Sequence, residues 1–134
     1  MSLINIIEGL EDSLFEMRRK EQYERDAIAI SQKFGDKVAT VANNAPRTSQ
    51  VHVVAKTDDQ AMLTKIRSHL KALGAKNGYL LRLDKEATVK SLSGLAFPAN
   101  RFEQGRFKSD FKALTQGLSD SAKLHLFRLE TRAD

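Results

Sequence analysis

Apolar residues near the start of the chain recur every three or four positions, which predicts an amphipathic helix. Acidic residues fall on its opposite side. The apolar stripe consists of Leu3, Ile6, Ile7, Leu10, Leu14 and Met17. A second stripe, in a shifted register, follows at Tyr23, Ala27, Ile30 and Phe34. The pattern therefore predicts a helical arm over 1–35, built as one long helix or as a helical hairpin, and it favours the hairpin because ordinary helices are shorter.

The middle of the chain predicts a β-α-β unit. A further helical turn at Val38 and Val41 comes first, followed by a loop over 43–49 that contains Pro46. The β-branched run at 50–56 is typical of a strand. Apolar residues then recur at helical spacing up to the C-cap glycine Gly74, and 79–83 forms a second strand. A unit of this length is typical of a right-handed crossover between parallel strands.

The remaining residues predict two helices and a last strand. Residues 85–95 form a short helix, a loop covers 97–105, and Phe107, Phe111 and Leu114 recur at helical spacing. The alternating run at 122–130 indicates a strand. We expect a single α+β domain over 1–134 with an α/β-like core at 47–134, in which helices cover a small three-stranded sheet.

Composition narrows the class of protein. The 134 residues include no Cys, which excludes disulfides, thiolate catalysis and Cys-ligated zinc. Neither a basic signal sequence nor a membrane-length apolar run is present. No metal-ligand spacing or phosphate-binding glycine loop occurs, so we expect no metal and no cofactor. These features predict a cytoplasmic protein that does not act at a membrane.

Charge is distributed unevenly along the chain. Residues 1–35 contain five Lys and Arg against seven Asp and Glu, whereas 36–134 contain seventeen against ten. The basic excess is densest between Thr64 and Leu83, where no carboxylate occurs. Cations in this segment are Lys65, Arg67, Lys71, Lys76 and Arg82. Such a segment is typical of a surface that neutralises nucleic-acid phosphates.

Three interpretations of this basic segment remain open. Its side chains simply surround a helix that faces the core, with charges in water. The acidic side of the N-terminal helix lies against them, within one molecule or across a dimer. Alternatively, they bind a polyanion, together with Arg101 and Arg106 from the Phe-rich segment 97–112. We favour a small nucleic-acid-binding or nucleoprotein accessory protein, without choosing between DNA and RNA.

An alternative function rests on the N-terminal stripe. Six large apolar residues on a terminal helix predict a protein-interaction module, such as a dimeric adaptor or an inhibitor that docks on another protein. An acidic protein surface is the expected alternative to nucleic acid as a partner of this basic protein. A homodimer is compatible with either function. Enzymatic activity is not expected, although His52 and His125 in two predicted strands raise the hypothesis of a two-histidine phosphodiesterase.

Overall fold

The computed structural model describes residues 21–44 and 48–131. The predicted N-terminal helix, with its stripe from Leu3 to Met17, lies outside these residues. Association through that stripe therefore stays a prediction, as do the dimer and the cytoplasmic location.

Four helices and four strands make up the described structure. The helices are α1 (Gln22–Phe34), α2 (Gln60–Asn77), α3 (Val89–Ser93) and α4 (Arg101–Leu114). A single 3-10 turn, Gly35–Lys37, follows α1. The strands are β1 (Val38–Asn44), β2 (Ser49–Lys56), β3 (Tyr79–Thr88) and β4 (Lys123–Thr131). This arrangement confirms the α+β class.

The strands form one sheet in the order β1-β2-β4-β3, in which all neighbours are antiparallel. Because β2 and β3 both run antiparallel to β4, they are parallel to each other. Helix α2 therefore connects two parallel strands, but β4 lies between them. The predicted β-α-β unit is present in this split form, and the predicted sheet of three strands is wrong by one strand.

The additional strand is β1, at the place where a helical turn was predicted. Residues 38–43 are all buried, so the apolar Val38, Ala39, Val41 and Ala42 do not alternate with exposed residues. Such a run does not distinguish a short helix from a buried strand by its periodicity. Pairing with β2, from Val38 with Ala55 to Asn44 with Ser49, decides the conformation.

Three other boundaries also differ from the prediction. Helix α2 continues past the predicted C-cap Gly74, which is buried inside the helix, and ends at Gly78. Strand β3 continues to Thr88, whose side chain then begins α3 through a reciprocal capping box with Ser91. The predicted loop over 97–105 ends at Asn100. The Asn100 side chain accepts a hydrogen bond from the backbone N–H of Glu103 and begins α4, so Phe102 lies on a helix.

Each face of the sheet has its own core. On the front face, α1 and α2 pack Ala27, Ile30, Ile66 and Leu70 against strand residues that include Phe127. On the back face, α3 and α4 contribute Val89, Leu92 and Leu114, which pack with Val54, Leu124 and Leu126 of the strands. The described helices include none that is both long and apolar enough to cross a bilayer.

Candidate functional site

Helix α2 is fixed on the front face by its two ends and its apolar stripe. The Asp59 side chain accepts a hydrogen bond from the backbone N–H of Met62 at 3.0 Å and caps the first turn. Gly78 ends the helix with a positive φ of 80°, a conformation that glycine adopts without strain. Leu63, Ile66 and Leu70 are buried beneath it. The basic residues of α2 therefore lie on its flanks and outer side.

Four of the predicted cations form what we call the basic α2 surface: Lys65, Lys71, Lys76 and Arg82. All four are exposed. Residues 60–77 contain no Asp or Glu. Arg82 lies at the irregularity of β3, the strand against which α2 packs. Within residues 21–44 and 48–131, none of the four is within ion-pair distance of a carboxylate.

Arg67 differs from these four because its charge is used inside the molecule. Its Nε lies 2.5 Å from Oδ2 of Asp84, and its Nη2 lies 3.1 Å from Oδ1. The guanidinium also lies 5.6 Å from the centre of the Phe127 ring. Hydrogen bonding to Asp84 raises the pKa of Arg67. Arg67 therefore holds α2 to the sheet and is less available to a ligand.

Asp84 joins this pair to a histidine. Its carboxylate also contacts Nε2 of His125 on the neighbouring strand β4. The hydrogen bond from Arg67, followed by that from His125, outweighs partial burial and lowers the pKa of Asp84. Three charged or polar side chains from α2, β3 and β4 thus form one hydrogen-bonded network on the front face.

The other two predicted cations lie elsewhere. Helix α4 packs against β1 at one edge of the sheet and α2 packs against β3 at the other edge, so Arg101 and Arg106 lie far from the cations of α2. Arg101 is exposed, whereas the Arg106 side chain is 13% exposed and forms an ion pair with Glu103. It also donates a hydrogen bond to Thr40. The seven cations therefore do not form one continuous surface.

One cation near α2 was not predicted from the sequence. The Phe34 ring of α1 packs edge-on against His69 of α2, with 5.5 Å between ring centres. Lys33 Nζ lies 5.9 Å from the same Phe34 ring, and burial together with Lys33 lowers the pKa of His69. The packing of α1 on α2 thus places Lys33 beside the basic helix. No sequence signal links these positions, because the contact is tertiary.

The two-histidine hypothesis is wrong in its geometry. His52 pairs across strands with Arg128 and lies on the back face, whereas His125 pairs with Ala55 and lies on the front face. The sheet therefore separates the two imidazoles. In the described part of the chain, no group of three or more His, Asp or Glu side chains is placed to hold a metal ion.

Comparison with protein-family models, with curated proteins and with solved structures finds no match to this chain.

Proposed function

We propose that this protein binds nucleic acid through the basic α2 surface. The observation that carries the proposal is the exposure of four cations, on a helix without carboxylates and on the adjoining strand, with no ion pair to the described residues. Exposed cations without ion pairs lose little hydration free energy when they approach phosphates. Binding is then favoured by the release of counterions from the nucleic acid.

The spacing of the cations supports contact with several phosphates. Lys65 and Lys76 are eleven positions apart on α2, which corresponds to about 17 Å along a helix axis. That length matches the axial rise of about five nucleotides of one strand. Lysine ammonium groups on flexible stems adapt to such an array without requiring a fixed geometry. The expected binding is therefore electrostatic and independent of base sequence.

Three of the seven predicted residues are left out of this interface, two of them because their charges are already paired. Arg67 and Arg106 are each held by a carboxylate of the same molecule, Asp84 and Glu103 respectively. Recruiting either side chain to a phosphate requires breaking an existing ion pair, and for Glu103 it leaves a buried charge without its partner. Arg101 is exposed but lies on α4, which packs at the β1 edge of the sheet, whereas α2 packs against β3 at the other edge.

The test is the salt dependence of binding to a fluorescent oligonucleotide, measured by anisotropy. The variant K65Q/K71Q/K76Q is expected to reduce the magnitude of the slope of log K against log salt by about three. The matched control K90Q/K108Q/K112Q removes the same charge from exposed positions on α3 and α4. It is expected to change the slope much less.

Two results would overturn the proposal. One is affinity that stays constant between low and high salt. The other is an equal loss in both triple variants, which would assign binding to net charge rather than to the basic α2 surface. Circular dichroism of each variant checks that the fold is retained.

A further inference from the structure

A cleft on the back face contains buried polar groups that play no part in the basic α2 surface. It has a volume of about 340 Å³ and lies between strands β2, β4 and β3 and the segment 91–97. A cavity of this size is at the lower end of the range for small-molecule sites. Its walls include His52, Lys85, Arg128, Leu92, Leu95 and Phe97.

The polar groups of the cleft are incompletely satisfied. His52 is 7% exposed, and its Nδ1 is buried with no hydrogen-bond partner among the described residues. The Nε of Arg128, on the paired position of β4, is likewise buried and makes no hydrogen bond to the described chain, although it lies 3.5 Å from Glu130 Oε2 in an ion pair. Buried polar atoms are normally partnered, so two adjacent exceptions indicate a place for a ligand's polar group.

The charges that surround these atoms favour a single negative charge. Lys85 and Arg128 are the two charged residues in the cleft wall, and both are cationic. Glu130 Oε2 lies 3.5 Å from Arg128 Nε and offsets one of the two charges. His52 adds none at neutral pH, because burial and then Arg128 lower its pKa to about 4. The remaining charge matches one carboxylate better than a doubly charged phosphate.

The rest of the wall is apolar. The Phe97 ring packs against the His52 imidazole with 4.6 Å between their centres. Leu92 is buried in the cleft wall, and Leu95 is 45% exposed. An apolar or aromatic group inserted here would cover Leu95 and contact Phe97. The wall therefore favours a ligand with an apolar body.

We propose that this cleft binds a small organic monocarboxylate, with its carboxylate at Arg128 and His52 and its apolar body against Leu95 and Phe97. The Arg128 guanidinium and the Nδ1–H of the neutral His52 ring donate hydrogen bonds to the carboxylate, and Lys85 adds attraction at the rim. The cleft lies on the sheet face opposite α2, so this site does not rest on the proposed nucleic-acid binding.

The test uses 3-phenylpropionate as the probe, with the full chain labelled with ¹⁵N and observed by NMR. The expected result is a saturable set of amide shifts confined to residues that line the cleft. The neutral analogue 3-phenyl-1-propanol is expected to bind at least about tenfold more weakly, because it has the same apolar body but no negative charge. Phenyl phosphate is expected to bind more weakly than the carboxylate.

Two variants test how much Arg128 and Lys85 contribute to binding of the probe. R128Q is expected to weaken binding of the probe by about tenfold or more, and K85Q by about threefold. K90Q is the matched control for K85Q, since Lys90 is also exposed but lies outside the cleft wall. Because Lys85 is exposed, K85Q keeps the test decisive even where R128Q does not fold.

Three outcomes overturn the proposal: no cleft-confined shifts at millimolar probe, equal affinity for the alcohol and the carboxylate, or equal effects of K85Q and K90Q. Preferential binding of phenyl phosphate overturns the choice of a monocarboxylate. The variant K65Q/K71Q/K76Q is expected to bind the probe normally, which separates failure of this site from failure of the nucleic-acid interface.

Discussion

The Glu103 carboxylate on helix α4 accepts a hydrogen bond from the backbone N–H of Ala42 in strand β1 at 2.8 Å. Strand β1 is at one edge of the sheet, so its outward N–H groups have no neighbouring strand. Edge strands with free backbone groups are sites of unwanted pairing between molecules. Glu103 closes this edge at Ala42, and Arg106 neutralises the buried carboxylate.

Replacement of Glu103 tests this closure. E103A leaves the Ala42 N–H without its acceptor and Arg106 without its anion, so we expect a loss of about 3 kcal/mol in the free energy of unfolding. E103Q retains an acceptor oxygen and is expected to lose less, about 1–2 kcal/mol. Urea denaturation measures both.

The control for these variants is E86A. Glu86 forms a surface ion pair with Lys123 at 3.7 Å, and its side chain is 55% exposed. Its loss is expected to cost less than about 0.5 kcal/mol. Equal destabilisation by E103A and E86A would show that Glu103 has no special role at the β1 edge.

Asp84 predicts a particular response to acid. Its pKa is lowered in the folded state, chiefly by the hydrogen bond from Arg67. The unfolded chain therefore binds a proton at a higher pH, near the ordinary aspartate value of about 3.9. The stabilisation from Asp84 is complete above that pH and is lost as pH falls toward the folded-state pKa.

The variant D84N is expected to be less stable than the wild type at pH 7 by about 1 kcal/mol, because both Arg67 and His125 lose a charged acceptor. The difference is expected to shrink below about pH 4, since the wild-type carboxylate is then protonated. Denaturation curves at a series of pH values measure it. A difference that stays constant down to the lowest pH would contradict the ion-pair interpretation.

Two helical glycines are expected to respond in opposite directions to alanine. A Cβ at Gly74 in α2 would lie 3.0 Å from the backbone oxygen of Tyr79, at the start of β3. A Cβ at Gly105 in α4 would meet no atom within 4 Å. Alanine favours a helix over glycine by about 1 kcal/mol, so G105A is expected to stabilise by up to that amount.

G74A gains the same helical preference but requires α2 to move away from β3. We expect a net destabilisation of about 1 kcal/mol, because the obstructing atom belongs to the backbone and the contact is in the core. Thermal unfolding of the two variants beside the wild type measures the sign. A stabilising G74A would show that α2 tolerates displacement from the sheet.

Local patterns in the sequence were sufficient for much of the fold. The stripe from Met62 to Leu73 and the β-branched run of β2 correspond to elements of the structure, although α2 continues past the predicted C-cap Gly74 and ends at Gly78. The stripe of Tyr23, Ala27 and Ile30 is the buried side of α1. The pattern is weaker where a segment is buried on both sides, and β1 was mistaken for a helical turn for that reason.

The candidate sites depended more strongly on tertiary contacts. The sequence pattern gave no indication that Asp84 would accept a hydrogen bond from Arg67, or that Glu103 would accept one from the β1 edge. Nor did it show that Lys33 would lie beside His69. Asp84 removes Arg67 from the predicted interface, Glu103 removes Arg106 through its ion pair, and Lys33 adds a cation near α2.

The sequence by itself determined the α+β class and the basic, carboxylate-free character of α2. Only the tertiary structure decided the strand order, the faces on which the two histidines lie, and which cations are already paired. Helical and strand periodicities are local and depend on neighbours a few residues apart. Strand order and charge pairing depend on contacts between distant segments, for which a single sequence carries no direct signal.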